Sequence, residues 1–170
     1  MPLRAYYDGS GKSHGPTSHL TLAGIAACDS VWPEFESAWK AVLAKHPGIT
    51  QLHMTDAMAV PKRGEFAEWS QKQVDALIID FLNAVAPFRS RHIMAISCTV
   101  DLDDHMRAKR AIPNLRSPES MCVDFCTGRI AIPTDDKNKP KCVMFFFDRG
   151  EKFLHRINGL WERHKKQRHG

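Results

Sequence analysis

The sequence lacks the features of several large protein classes. Its N-terminal region does not combine a basic stretch, an apolar run and a cleavage site, and no segment approaches the ~20 apolar residues that cross a bilayer. We therefore expect a soluble, cytoplasmic protein without a membrane partner. The 170 residues contain no internal repeat and no low-complexity tract, and 43% are hydrophobic, which predicts a single domain (residues 1–170) with its own core.

Common catalytic signatures are missing as well. There is no Gly-x-Ser-x-Gly elbow, and no cysteine has the neighbours of a catalytic thiol, which argues against a nucleophilic hydrolase. The five cysteines are odd in number and lie mostly in apolar runs, as reduced core residues do. Cys122 and Cys126 are one helical turn apart, but a second ligand pair that would make a zinc site with them is absent.

Positive charge is concentrated at the C-terminal end. The net charge is +5, and residues 149–170 contain seven Lys or Arg against two Asp or Glu, so this segment carries the whole excess. Such a segment, with a sequence pI of about 9.0, suits a polyanion. The alternative is the solvated end of a helix, where cations also favour the helix dipole.

The most informative stretch is Tyr-Tyr-Asp-Gly-Ser-Gly at residues 6–11. An apolar run over residues 3–7 predicts a strand that leaves Asp8 at its carboxyl end. A second apolar run, residues 142–147, lacks alternation, which is typical of a strand buried on both faces, and it ends in Asp148.

The remaining patterns predict further strands and helices. Residues 20–27 alternate as a strand hairpinned to the first. Ser70 with Gln73 has the spelling of a capping box before a clean helical stripe, which contains Val74, Leu77, Ile78, Phe81, Leu82 and Val85. The other expected elements are a helix containing Phe35 and Trp39, a short strand at 49–56, a strand at 93–100, a short helix at 105–112, a helix from Pro118 with Phe125 on its buried side, and a helix after Gly150. This order indicates an α/β fold with a mixed sheet flanked by helices.

Asp8 and Asp148 each close an apolar strand. If the two strands are neighbours and parallel, these carboxylates converge at the carboxyl edge of the sheet, where ligands gather in α/β proteins. Carboxylate oxygens suit Mg²⁺ or Mn²⁺, and paired ions of this kind cleave phosphodiesters. The alternative reading is that aspartate ends strands because it forms turns and caps.

Other polar residues are candidates for the same site. His53 and Asp56 follow the predicted short strand, and Glu151 begins the last helix. Ser10 and Lys12 lie on the glycine turn, which does not have the spacing of a Walker loop but is placed to contact a phosphate. An acidic cluster, Asp101 with Asp103 and Asp104, is interpreted as a solvated loop.

Taken together, residues 6–11, the strand at 20–27, His53-x-x-Asp56 and Phe-Asp-Arg-Gly-Glu at 147–151 resemble the bacterial and phage family known as domain of unknown function 3800. The resemblance covers nearly the whole chain and implies an RNase H-like fold, whose nucleases hold divalent metals on acidic side chains. It implies metal-site roles for Asp8 and Asp148, and more weakly for His53, Asp56 and Glu151.

One feature of that family is missing. Its members continue past the last basic helix into a segment with an Ala-Asp-Leu type motif, whose aspartate is expected to complete the site. The resemblance therefore implies either an incomplete site or another carboxylate, such as Glu151 or Asp124, in its place.

The leading hypothesis is a nuclease that uses Mg²⁺ or Mn²⁺ to cleave a DNA or RNA phosphodiester. Asp8 and Asp148 are the predicted catalytic ligands, and Glu151 and Asp56 further ligands. The predicted substrate contacts are Ser10, Lys12, His53, Arg149, Lys152 and Arg156. The alternative is a non-catalytic nucleic-acid-binding or interaction module with an incomplete metal site.

Overall fold

The computed structural model describes residues 2–11, 18–90, 93–131, 142–147 and 159. The chain divides into two compact units. We call residues 1–29 and 94–170 the sheet unit and residues 30–93 the helical unit. Among the described residues, no helix combines the length and apolar character needed to span a bilayer.

The sheet unit contains a four-stranded mixed sheet with the order β3-β2-β1-β4. Its strands are β1 (Leu3–Ser10), β2 (His19–Cys28), β3 (Met94–Asp101) and β4 (Val143–Phe147). Strand β2 runs antiparallel to both β1 and β3, whereas β4 runs parallel to β1. The predicted hairpin and the α/β class with a mixed sheet and helices are confirmed. The parallel pairing of the first and last strands, which the sequence offered only as a condition, is present.

Strand β1 is longer than the sequence predicts. It continues through Asp8 to Ser10, because Asp8 pairs with Ala23 and Ser10 pairs with Thr21 of β2. Asp, Gly and Ser have low strand propensity, but the ladder to a long neighbouring strand overrides it. The turn comes at Gly11, whose φ is +87°. Asp8 therefore lies inside the strand and not after its end.

One face of the sheet packs against helix α5 (Pro118–Ala131). Tyr7 of β1 is buried there and donates a hydrogen bond from Oη to the Cys126 carbonyl at 2.9 Å. The Tyr7 ring also stacks near Phe145 and Phe147 of β4, with centroids 6.5 and 5.4 Å away. Tyr7 thus connects the central strand, an outer strand and the covering helix.

Glycine is required opposite this tyrosine. Gly24 pairs with Tyr7 across the β1–β2 ladder. A Cβ atom at Gly24 would lie 2.3 Å from the Tyr6 carbonyl oxygen and 2.3 Å from Cδ1 of Tyr7. The Tyr7 ring occupies the space that any larger residue at 24 would need.

The helical unit has its own core. Helices α1 (Trp32–Lys45) and α3 (Gln71–Val85) pack together, with Val42, Leu77 and Phe81 among their buried residues. The Ser70–Gln73 capping box is present at the start of α3, as predicted. The stripe prediction is right for Val74, Leu77 and Phe81 but wrong for Leu82, which is 64% exposed.

The predicted strand over residues 49–56 does not form. Residues 49–53 have no strand pairing, and Met54–Ala57 is a short helix, α2. The amides of Asp56 and Ala57 donate to the His53 carbonyl, so this segment satisfies its polar groups locally and not on a neighbouring strand.

The acidic cluster is a helix start and not a loop. Asp101 ends β3 and is the N-cap of helix α4 (Leu102–Ala111), accepting hydrogen bonds from the amides of Asp103 and Asp104 at 2.9 Å each. Asp103 and Asp104 lie in the first turn, where negative charge favours the helix dipole.

Two burial predictions are also wrong. Phe125 of α5 is 44% exposed, and the Arg129 guanidinium lies 5.2 Å from its ring centroid. Strand β4 is not buried on both faces, because it is the outer strand next to β1 in the described sheet and Phe146 is 40% exposed. An apolar run without alternation is thus also compatible with an edge strand.

Removing the Tyr7 hydroxyl tests its structural role. Tyr7→Phe should lower the free energy of unfolding by about 1 kcal/mol, because the buried Cys126 carbonyl loses a donor. Chemical denaturation measures this change. Tyr6→Phe is the matched control, since Tyr6 is the exposed neighbour on the same strand, and it should change stability less. Equal effects of the two substitutions would contradict the assignment.

The buried thiols predict a loss of stability at alkaline pH. Burial, with the neighbouring Cys98 as a second cause, raises the pKa of Cys122 to about 12 and of Cys126 to about 11. Thiols in an unfolded chain lose their protons near pH 8.5, roughly. Between that pH and the folded values the unfolded state binds fewer protons, so the free energy of unfolding should fall as pH rises.

Denaturant titrations from pH 8 upward, roughly spanning this window, measure that fall. Cys122→Val should make the fall shallower, whereas Cys142→Ser, which alters an exposed thiol, should leave it unchanged. The interpretation is wrong if both variants retain the native slope.

Candidate functional site

Asp8 lies on the face of the sheet opposite to the Tyr7 side. Side chains alternate along a strand, so Tyr6, Asp8 and Ser10 share this second face, and all three are exposed. We call it the open face. Among the described residues, none forms a hydrogen bond or an ion pair with the Asp8 carboxylate. Within the described part of the chain, the Asp8 carboxylate is therefore not used in a turn or a cap.

Small and polar residues surround Asp8 on the open face. Ala23 of β2 pairs with Asp8, and Ser97 of β3 pairs with Ala23. The side chains next to Asp8 in this row across the three strands are therefore short. The next row contains Ser10, Thr21 and Thr99, with the two threonine hydroxyls 2.9 Å apart. In the described sheet, these rows thus present short side chains and hydroxyl groups beside the carboxylate.

Strand β4, which lies next to β1 on the side away from β2, determines which other residues lie close to Asp8. Strand β4 pairs with β1 in the register Tyr6 with Phe146 and Tyr7 with Phe147. Phe147 is the last described residue of β4, and Asp148 lies outside the described residues. The structure thus places the residues that immediately precede the two predicted aspartates side by side.

His53 and Asp56 form a pair of their own in the helical unit. His53 Nδ1 lies 2.8 Å from Asp56 Oδ2, with the His53 side chain 58% exposed and that of Asp56 30% exposed. Gly64 packs against the carboxylate, since a Cβ there would lie 3.0 Å from Asp56 Oδ2. The bond to Nδ1 leaves Nε2 as the ring nitrogen that can reach a ligand.

The described residues bring together part of the predicted site. Asp8 and Ser10 share a strand and a face, and His53 and Asp56 are bonded to each other. The other predicted site residues lie outside the described part of the chain: Lys12, Asp148, Arg149, Glu151, Lys152 and Arg156. Within the described ranges, no group of three or more His, Cys, Asp or Glu side chains is arranged to hold a metal ion.

Asp124, the other carboxylate that the sequence offers as a substitute ligand, is engaged elsewhere. Its Oδ2 pairs with the Arg116 guanidinium, which links the middle of α5 to the segment before the helix. The ion pair gives Asp124 a local role within the sheet unit.

Two aromatic residues beside Asp8 are absent from the predicted site. Tyr6 and Phe146 stack across the β1–β4 ladder with ring centroids 4.7 Å apart and an interplanar angle of 14°. Each precedes a predicted aspartate by two residues. Strand alternation therefore predicts from the sequence that Tyr6 shares a face with Asp8.

The chain was compared with protein-family models, with curated proteins and with solved structures, and none of them matches it. The resemblance to the family of unknown function therefore stays a prediction that depends on the short motifs quoted above.

Replacing Asp8 and replacing Asp101 by alanine should have effects of different size on stability. The Asp104 amide, together with that of Asp103, lowers the pKa of Asp101, as expected for a helix cap. Asp101→Ala should measurably lower the free energy of unfolding, because α4 loses its N-cap. Asp8→Ala should change it by less than about 0.5 kcal/mol, because no described residue depends on this exposed carboxylate.

Chemical denaturation of both variants checks the difference. A loss on Asp8→Ala as large as that on Asp101→Ala would show that Asp8 has a structural role. The open-face carboxylate would then no longer be the best candidate for ligand binding.

Proposed function

We propose that this protein is a divalent-metal-dependent nuclease that hydrolyses phosphodiesters of nucleic acid at a site built on Asp8 and Asp148. The observation that carries the proposal is the parallel, in-register pairing of β1 with β4. The fold proposed with it is RNase H-like, supported by the mixed sheet and by the short motifs of the sequence.

The register of β1 with β4 determines which of their residues share a face of the sheet. In a parallel ladder, paired residues lie on the same face, and the stacked Tyr6 and Phe146 rings follow this rule. Asp8 comes two residues after Tyr6, and Asp148 comes two residues after Phe146 in the sequence. Neighbouring strands are about 4.8 Å apart, so the proposal is that the two carboxylates share one cation.

The proposed metal ligands are aspartate side chains. Carboxylate oxygens are the ligands that Mg²⁺ and Mn²⁺ prefer. Asp8 fits that role because its carboxylate is exposed and no described residue occupies it. Bound there, such a cation would supply an activated water and stabilise charge on the phosphate. Glu151 is proposed as a further ligand.

The proposed substrate contacts are a hydroxyl group and several basic side chains. Ser10 lies on the same face as Asp8, two residues further along β1, where its hydroxyl is placed to donate to a phosphate oxygen. The basic residues that follow Asp148 in the sequence, Arg149 with Lys152 and Arg156, are proposed to hold the phosphate backbone, together with Lys12. Exposed cations of this kind bind nucleic acid with a strong dependence on salt.

Metal binding tests the proposal directly. Calorimetric titration of the native chain with Mn²⁺ should show saturable binding. Asp8→Ala should abolish it, because one of two adjacent ligands is removed. Asp103→Ala is the matched control, since it removes an exposed carboxylate in the first turn of α4 and should leave binding unchanged.

Cleavage assays complete the test. Labelled DNA and RNA oligomers with Mg²⁺ or Mn²⁺ should be cut by the native chain and not by Asp8→Ala. If the native chain binds no Mn²⁺ and cuts neither polymer, the nuclease is excluded. Salt-dependent binding of nucleic acid without metal would then favour the second candidate, a non-catalytic binding module.

A further inference from the structure

We infer that Phe146, backed by Tyr6, is a stacking site for a nucleobase of a single-stranded nucleic acid. For its substrate class this inference depends on the proposed nuclease function, which it extends from the phosphate to the base. The observation behind it is the exposed aromatic stack on the open face.

The geometry of the two rings comes first. Tyr6 and Phe146 are register partners, and their rings lie 4.7 Å apart and nearly parallel. One face of the Phe146 ring is thus in contact with Tyr6, and its other face points away from β1. No described strand pairs with β4 on that side. A flat aromatic ligand can continue the stack there.

Exposure comes second. Phe146 is 40% exposed and Tyr6 is 41% exposed. Tyr7, the next residue of β1 and on the opposite face of the sheet, is only 4% exposed. Large aromatic groups that remain this accessible, stacked and held on a sheet are the usual platform for unpaired bases. Every base has a flat face, so such a platform tolerates any sequence.

Position and charge come third. The rings precede the Asp8 row by two residues, about 6.6 Å along the strand, which is roughly the reach of one nucleotide. A base on Phe146 would therefore place its own backbone close to the Asp8 carboxylate. Beyond β4 the chain enters residues 149–170, which carry the whole net charge of +5. A polyanion with exposed bases satisfies both features, whereas bases in a duplex are already stacked.

The test separates the base from the backbone. Fluorescence anisotropy in EDTA, which prevents cleavage, measures binding of a labelled oligothymidylate and of an oligomer of equal length with abasic sugars. The native chain should bind oligothymidylate more tightly. Phe146→Leu should weaken that binding by about tenfold and leave binding of the abasic oligomer unchanged, since one stacked base is lost.

Two variants control the experiment. Phe125→Leu removes a phenylalanine of similar exposure on α5, and it should leave binding of both oligomers unchanged. Phe146→Tyr retains the ring and should keep the native affinity. Repeating the titration with oligouridylate shows whether DNA or RNA is the better ligand.

The inference is overturned if Phe146→Leu binds oligothymidylate as tightly as the native chain. It is also overturned if the native chain does not distinguish the two oligomers or binds neither, a result that does not depend on how the variants fold. Mn²⁺ titration of Phe146→Leu separates the two proposals. Intact metal binding with lost base discrimination supports both, and base discrimination in a native chain that binds no Mn²⁺ removes only the nuclease.

Discussion

Strand β1 and its register on both sides determine the rest of the sheet unit. Leu3, Ala5 and Tyr7 face the buried side, so the intervening residues must face the other side. A slip of one residue would expose the apolar ring of Tyr7 and bury the Asp8 carboxylate, and both changes are unfavourable. The bond from Tyr7 to Cys126 and the close contact of Tyr7 with Gly24 oppose such a slip.

The register of β1 also divides the residues that stabilise the sheet unit from those that are candidates for ligand binding. Side chains on the Tyr7 face stabilise the unit by burial under α5, whereas Asp8 and Ser10 on the open face contribute little to that core. Asp101 shows the contrast, since its carboxylate caps α4 and is occupied by two backbone amides. Two aspartates that look equivalent in the sequence therefore differ in whether their oxygens are available.

Local patterns predicted the elements whose causes are local. The capping box of Ser70 and Gln73, the hairpin of β1 with β2 and the apolar run of β4 all follow from neighbouring residues and appear where expected. The sequence predicts the parallel pairing of β1 with β4 only as a condition. Leu3 pairs with Val143, which is 140 residues further along the chain, and no short-range pattern identifies so distant a partner.

The errors have physical causes too. Asp8 was placed after the strand because its propensity is low, but pairing with β2 extends the strand beyond it. Residues 49–56 have strand-forming side chains and no strand to pair with, so they close a helical turn at His53 instead. Exposure of Phe146 and Phe125 depends on which element covers them, which hydrophobicity alone does not reveal. The aromatic pair beside Asp8 was overlooked for the same reason.

The central claim is that the pairing of β1 with β4 makes Asp8 and Asp148 one metal site. Anomalous diffraction from crystals grown with Mn²⁺ tests it most directly, because the signal identifies the ion and its ligands together. The account predicts an anomalous peak in contact with carboxylate oxygens of both Asp8 and Asp148. A peak that contacts neither aspartate, or only one of them, would contradict it.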